Sequence, residues 1–236
     1  MSQDFEARID AALAGLPPDL REVAGRNVGE LRRSIEIRQQ QLARVLEDES
    51  SSAQLRSTAA WIVGILGESS LSSVLSRVVL TANQPLVLWE ATKALCALGE
   101  GGDLFRTMLE TGSSAEHRQA AAYALGRIRD TSSTRLLVQI LASEAESPGL
   151  RAQTAEALGY MGDREAFPAL VAAAADPSAE VRFWSVFALG NLGDRRAVPV
   201  LERLAREDHD VLEGWWAVSQ EAASALEEIR KSSDSD

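Results

Sequence analysis

The stretch VRFWSVFALGNLGD, residues 181–194, constrains the chain more than any other, because its frame recurs. Apolar residues at Val181, Val186, Leu189 and Leu192, with small ones at Ser185, Ala188 and Gly190, make one close-packing helical face. With Arg182 as offset zero, the frame returns at Arg151 (LRAQTAEALGYMGD), Arg118 (HRQAAAYALGRIRD) and Arg56 (LRSTAAWIVGILGE). Leu88 holds the place in VLWEATKALCALGE; a weaker copy starts at Arg21 and a terminal one at Ser219. Successive origins lie 30 to 37 residues apart, the mark of like units stacked side by side.

Each offset has a physical reading. Offset three is small throughout (Ala24, Ala59, Ala91, Ala121, Thr154, Ser185, Ala222), so neighbouring helices can approach closely. Offset seven (Val28, Val63, Leu95, Leu125, Leu158, Leu189, Leu226) and offset ten (Leu31, Leu66, Leu98, Ile128, Met161, Leu192, Ile229) are apolar. Burying one such side chain is worth about 1.5–3 kcal/mol. Offset eight is glycine in most copies, Cys96 in one and Glu227 in the last. A glycine inside a helix costs about 1 kcal/mol against alanine, so several in register imply a tight contact that offsets the loss; Cys96 reads as a small buried substitute. Offset twelve is acidic in five copies (Glu68, Glu100, Asp130, Asp163, Asp194), which suits the start of the next helix. The expected fold is therefore all-α, a right-handed α-α superhelix of about 14 helices.

The expected organisation is an N-terminal capping helix within residues 1–17, a repeat stack over 18–230 and a disordered tail at 231–236. Repeats begin near residues 18, 54, 86, 116, 149 and 180, and a capping helix covers 216–230. Phe5, Ile9 and Leu13 form the apolar side of a helix over 3–14, with further helices over 18–33 and 36–47. Pro85, Pro148 and Pro177 punctuate the starts of first helices, and Pro168 and Pro199 fall in or near the first turn of second helices. REDHDVLEGWW, before the last helix, is the longest connection.

The pattern resembles the HEAT-like repeat of phycobilin lyase subunits and deoxyhypusine hydroxylase, over about Asp19 to Arg230. The resemblance implies a fold; such repeats serve many binding roles. It also implies where a metal would sit, since the hydroxylase places His-Glu pairs at offsets one and two of several repeats to hold iron. Here those places hold Glu22-Val23, Ser57-Thr58, Trp89-Glu90, Gln119-Ala120, Ala152-Gln153, Phe183-Trp184 and Gln220-Glu221, with no histidine. No metal site, cofactor or catalytic residue is assigned.

Those same places carry aromatic residues instead. Trp89, Phe183 and Trp184 occupy offsets one and two, Trp61, Tyr123 and Phe187 offset five, and Tyr160 offset nine. With Glu90, Lys93, Arg127 and Glu156 as polar contacts, they are the candidate surface for a partner. The competing reading has Trp61, Tyr123 and Phe187 filling gaps between first helices. Trp215-Trp216 reads first as packing for the terminal helix, Asp208-His209-Asp210 as a solvated loop, and the offset-zero arginines as a structural ladder to acids such as Asp176.

Charge narrows the partner. With 24 Lys and Arg against 35 Asp and Glu, the formal charge is −11. Nucleic-acid binding needs concentrated basic surface, so the expected partner is a protein or peptide, a basic one among the options. No signal sequence or membrane-length apolar run is evident, and one cysteine forms no internal disulfide, so the expected location is cytoplasmic. Two functions follow: a non-catalytic interaction scaffold, or a phycobilin lyase-like subunit that attaches or chaperones a bilin. The oligomeric state is left open.

Overall fold

The computed structural model describes residues 36–111 and 114–233. Among them are twelve α-helices and no strand; an isolated bridge pairs Val211 with Ala217. The helices expected over 3–14 and 18–33, two of the expected 14 or so, lie outside the described residues. The chain divides into two compact units, one ending at Gly101 and one beginning at Gly102.

In the first unit, α1 covers residues 36–47, α2 Ala53–Leu66, α3 Ser72–Thr81 and α4 Pro85–Leu98. The second unit holds α5 (Gly102–Glu110), α6 (Ala115–Arg127), α7 (Thr134–Ala142), α8 (Pro148–Met161), α9 (Phe167–Ala173), α10 (Ala179–Leu192), α11 (Val198–Glu207) and α12 (Val218–Ser233). The repeat's first helices begin within a residue or two of the expected starts. In the second unit α6, α8, α10 and α12 pack each on the next, and α5, α7, α9 and α11 back them as an outer row. In the first unit α2 packs on α4, with α3 behind. The last helix runs to Ser233, three residues into the stretch expected as a disordered tail.

The offsets explain this stacking. Every described small residue at offset three is buried, as are Val63, Leu95, Leu125, Leu158, Leu189 and Leu226 at offset seven. Offset ten is less uniform: Met161, Leu192 and Ile229 are buried and Leu98 and Ile128 half-buried, but Leu66 is 47% exposed. The glycines at offset eight face the alanine at offset six of the next first helix. A Cβ on Gly126 would lie 2.5 Å from Ala157 Cα, one on Gly159 2.8 Å from Ala188 Cα, and one on Gly190 2.8 Å from Ala225 Cβ. Within the first unit, a Cβ on Gly64 would lie 3.0 Å from Ala94 Cα. Cys96, expected to be buried, is half-buried.

The ends of the first helices repeat as well. Offset eleven takes the left-handed conformation in all five central copies: Gly67, Gly99, Gly162 and Gly193 at φ 65–71°, and Arg129 at φ 55° without a glycine's freedom. The reversal lets the N–H of Glu68, Glu100 and Asp130 reach back to the carbonyl of offset seven at 3.0–3.2 Å. The Asp163 and Asp194 carboxylates then accept from the N–H of Glu165 and Arg196, starting short 3-10 turns that lead into α9 and α11. Pro168 and Pro199 sit in the first turns of those helices, where their missing N–H is not needed.

The offset-zero arginines form the expected ladder. Arg56 Nε donates to Leu46 O at 3.0 Å, and Arg118 Nε to Leu109 O at 3.1 Å. Arg118 also forks onto Glu146 at 2.6 and 2.7 Å, and Arg151 pairs with Asp176, both side chains under 10% exposed. Each arginine thus ties the first turn of its helix to the end of the preceding helix, to the loop before the next one, or to both.

Gly126→Ala should destabilise the protein by about 1–3 kcal/mol in chemical denaturation, because overpacking outweighs the roughly 1 kcal/mol gain in helix propensity. Adding Ala157→Gly removes the facing methyl but leaves Ala157 Cα 2.5 Å from the new Cβ, so the double variant should recover little of that loss.

Candidate functional site

Four sequence-selected residues belong to the first unit. Trp61 on α2 is 55% exposed, with Ile65 one turn on at 63%, so it does not fill a gap between helices. Trp89 and Glu90 on α4 are half-buried, and Lys93 Nζ donates to Glu90 Oε1 at 2.8 Å.

In the second unit six aromatic residues, Tyr160, Phe183, Trp184, Phe187, Trp215 and Trp216, join into one continuous array, and Tyr123 is not among them. Arg127 lies over the Tyr160 ring, 4.9 Å from its centroid. Tyr160 meets Phe187 edge-on at 5.5 Å, Phe187 meets Trp184 at 5.4 Å, and Trp184 meets Phe183 at 5.3 Å and Trp215 at 5.2 Å. Trp216 closes the array against Phe183 and Trp215 at 6.0 and 5.5 Å. Phe183 is 1% exposed, so it supports the other rings from beneath and offers no face to a partner. Tyr123, Tyr160, Trp184 and Phe187 are half-buried.

A groove of about 570 Å³ opens beside this array. One wall comes from Gln119 on α6 and from Gln153 and Glu156 on α8, the other from Glu180 and Trp184 on α10. The loop between α11 and α12 covers one end with Val211, Leu212, Glu213 and Trp215. Of the sequence-selected residues only Glu156 and Trp184 line the groove.

The loop is held at its neck. Arg182 Nε donates to Asp208 Oδ2 and Nη2 to Asp210 Oδ2, both at 2.6 Å, and Arg182 Nη1 also reaches Asp176 O at 2.8 Å. Asp208-His209-Asp210 is therefore not a freely solvated loop: its two carboxylates are the ladder partners of Arg182, and Asp208 is 9% exposed. Among the described residues no group of acids, histidines or cysteines is arranged to hold a metal ion. The N–H of Val218 and Ser219 return to Asp210 O and Asp208 O at 3.0 and 2.8 Å, and Trp216 Nε1 donates to Glu221 Oε2 at 2.8 Å. Trp216 thus anchors the start of α12, as the packing reading expects. Its neighbour Trp215, 48% exposed at the tip beyond Gly214 (φ 80°), faces the groove instead.

Two carboxyl groups here are raised above the usual range. Burial lifts Glu156, against the lowering effects of a hydrogen bond from Gln153 and the charge of Arg127. Burial lifts Glu221 too, only partly offset by the Trp216 indole. Glu146, by contrast, is lowered by its hydrogen bonds from Arg118.

Sequence reasoning missed Glu180 and Glu213 and selected neither Gln119 nor Gln153. The two glutamines sit at offsets one and two, the places already singled out, but were passed over for lacking a ring. Glu213 carried a weaker signal: it lies in the longest connection of the repeat.

Residues 136–219 match the family model described as HEAT repeats, and residues 118–143 that of the PBS lyase HEAT-like repeat. HEAT-like repeats are thus what residues 118–219 carry. No match is found among curated proteins. Among solved structures, the chain is similar to the complex of CpcE and CpcF of phycocyanin lyase from Nostoc sp. PCC7120, with TM-score 0.54 and 18% identity, covering 66% of this chain and 98% of that one. It is also similar to an engineered protein, with TM-score 0.52 and 20% identity over 81% and 97% of the two chains. A designed armadillo repeat protein in complex with the peptide (KR)4 gives TM-score 0.51 and 18% identity over 80% and 98%. At these identities the likeness establishes the stacked-helix fold alone. No described helix is long and apolar enough to cross a membrane.

Glu221 generates a test of the site's electrostatics. Its folded-state pKa is raised above the unfolded value, so its contribution to stability is fully present below the ordinary carboxylate range. That contribution is lost as pH rises through the raised value. Glu221→Gln keeps an acceptor for Trp216 and removes the buried charge. Its melting temperature relative to the parent should therefore rise between pH 4 and pH 8; a difference that stays constant with pH would contradict the burial of the carboxylate.

Proposed function

We propose that this stack of HEAT-like repeats is a non-catalytic interaction scaffold, and that the groove of the second unit is where it receives a segment of a protein or peptide partner. The supporting observation is the placement of Trp215: an indole 48% exposed, on a loop fastened by Arg182 and Trp216, overhanging a groove floored by rigid helices. Aromatic side chains held this way supply contact area at low entropic cost. The groove is long enough in section to take side chains, and its walls come from three successive helices, as suits an extended segment lying across the repeats. Localisation in the cytoplasm belongs to the same reading.

A bilin-handling role shares the fold but suits this groove less. Among the described residues, three carboxylates and no cation line it, a poor match for the paired propionates of a bilin.

A peptide array read with the purified full chain tests the proposal. Trp215→Ala should weaken the selected peptides by tenfold or more, as expected for an interface anchor of about 1.4 kcal/mol or above. Trp215 also meets Phe183, Trp184 and Trp216, so folding stability should fall by about 1–2 kcal/mol, and binding is compared under conditions where circular dichroism shows the variant folded. Retention of every selected peptide by Trp215→Ala would remove the groove from consideration. Titration of the protein into a bilin should leave the visible spectrum of the bilin unchanged; a shifted and sharpened band would favour the lyase-like reading.

A further inference from the structure

We infer that the groove selects a basic segment, seating an arginine or lysine side chain against the indoles of Trp184 and Trp215 with its charge toward Glu156, Glu180 and Glu213. The inference rests on the reading of the groove as the binding surface and names the chemistry of its occupant.

Three features of the site converge on a cation. Among the described residues, the charged ones lining the groove are Glu156, Glu180 and Glu213, with no lysine or arginine. The neutral polar lining on the α6 and α8 side is Gln119 and Gln153, whose amide oxygens accept from a guanidinium or ammonium group. The two indoles meet at 5.2 Å between centroids and 76° between planes, so they form a corner with two π faces. A guanidinium can stack on one indole while its fork meets a carboxylate at the edge.

Charge balance points the same way. Arg127 is the cation that acts on Glu156, yet it sits over the Tyr160 ring rather than in the groove. Glu156 is half-buried with an amide from Gln153 as its hydrogen-bond donor, and burial holds its carboxyl above the usual range. A carboxylate in that state gains from an incoming cation more than a fully hydrated one does. An anionic occupant would meet three like charges in a partly enclosed space, and a neutral apolar one would leave those carboxylates desolvated without a partner.

Intrinsic tryptophan fluorescence of the full chain, in about 0.15 M salt where the screening length is roughly 8 Å, provides the test. The probes are the octapeptide (Lys-Arg)4, its neutral counterpart (norleucine-citrulline)4, and (Glu-Asp)4. The basic peptide should change the emission saturably. The neutral peptide should bind at least about tenfold more weakly, the scale of a charge-assisted hydrogen bond, and the acidic one not at all. Glu180→Gln with Glu213→Gln should weaken the basic peptide about tenfold, while the exposed pair Glu202→Gln with Glu227→Gln, equal in charge change and outside the lining, should change it less than twofold. Equal weakening by the two pairs would mean general attraction to an acidic protein and would overturn the inference. If the neutral or acidic peptide binds as well as the basic one, and Trp215→Ala abolishes that binding, the cation preference fails while the groove stands. If none of these peptides and none on the array binds, both readings fail.

Discussion

The close approach of consecutive first helices is the constraint from which the other features follow. Where Gly126, Gly159 and Gly190 meet Ala157, Ala188 and Ala225, the gap admits no methyl group. Backbones that near each other let the offset-seven leucines bury completely from both sides, so helices of two turns to four can stand without a broad apolar face of their own. A glycine's helix cost of about 1 kcal/mol is small against the burial of even one leucine, about 1.5–3 kcal/mol. The same closeness aligns offsets one, two and five of successive helices into a common face, which is why Gln119, Gln153, Glu156 and Trp184 meet in one groove although they span three repeats.

The arginine ladder converts that register into loop geometry. Arg118 and Arg151 each hold one acidic residue of the following loop, Glu146 and Asp176, and the loops are short. At Arg182 the loop is longer, and two carboxylates, Asp208 and Asp210, take the place of one. The guanidinium therefore fixes both sides of the neck, and the extra residues project as a turn carrying Glu213, Gly214 and Trp215. A longer loop in this position becomes a wall of the groove because the recurring arginine contact anchors its neck and Trp216 its end.

Much of the fold was legible because it depends on local periodicity. The small residue at offset three, the apolar one at offset seven and the glycine at offset eight each have a single packing partner set by the repeat, so spacing alone identifies them. Offset ten was less legible: Leu66 carries the right side chain and is still 47% exposed, since burial there depends on what the neighbouring helix supplies. The site was legible only in part. The aromatic residues at offsets one, two, five and nine, Tyr123 excepted, do gather in the second unit, but ring contacts turn most of them inward on one another, and Phe183 disappears beneath its neighbours. The groove itself needs Glu180 from a first turn and Glu213 and Trp215 from an irregular loop, and no period predicts where an irregular loop comes to rest.

The two tryptophans at 215 and 216 show how closely packing and exposure can be coupled. The two indoles lie 5.5 Å apart and both rest on Phe183, with Trp215 48% and Trp216 45% exposed, so each serves packing and keeps a face in solvent. Trp216 gives its N–H to the buried Glu221 at the head of α12 and leans at a tilt against Phe183, and that fixes the backbone from which Trp215 projects. Rigidity at Trp216 is thus a condition for a preorganised Trp215, which would otherwise have to lose loop entropy on meeting a partner. Burial raises the Glu221 carboxyl above the usual range, and its oxygen accepts from the indole that it helps to orient.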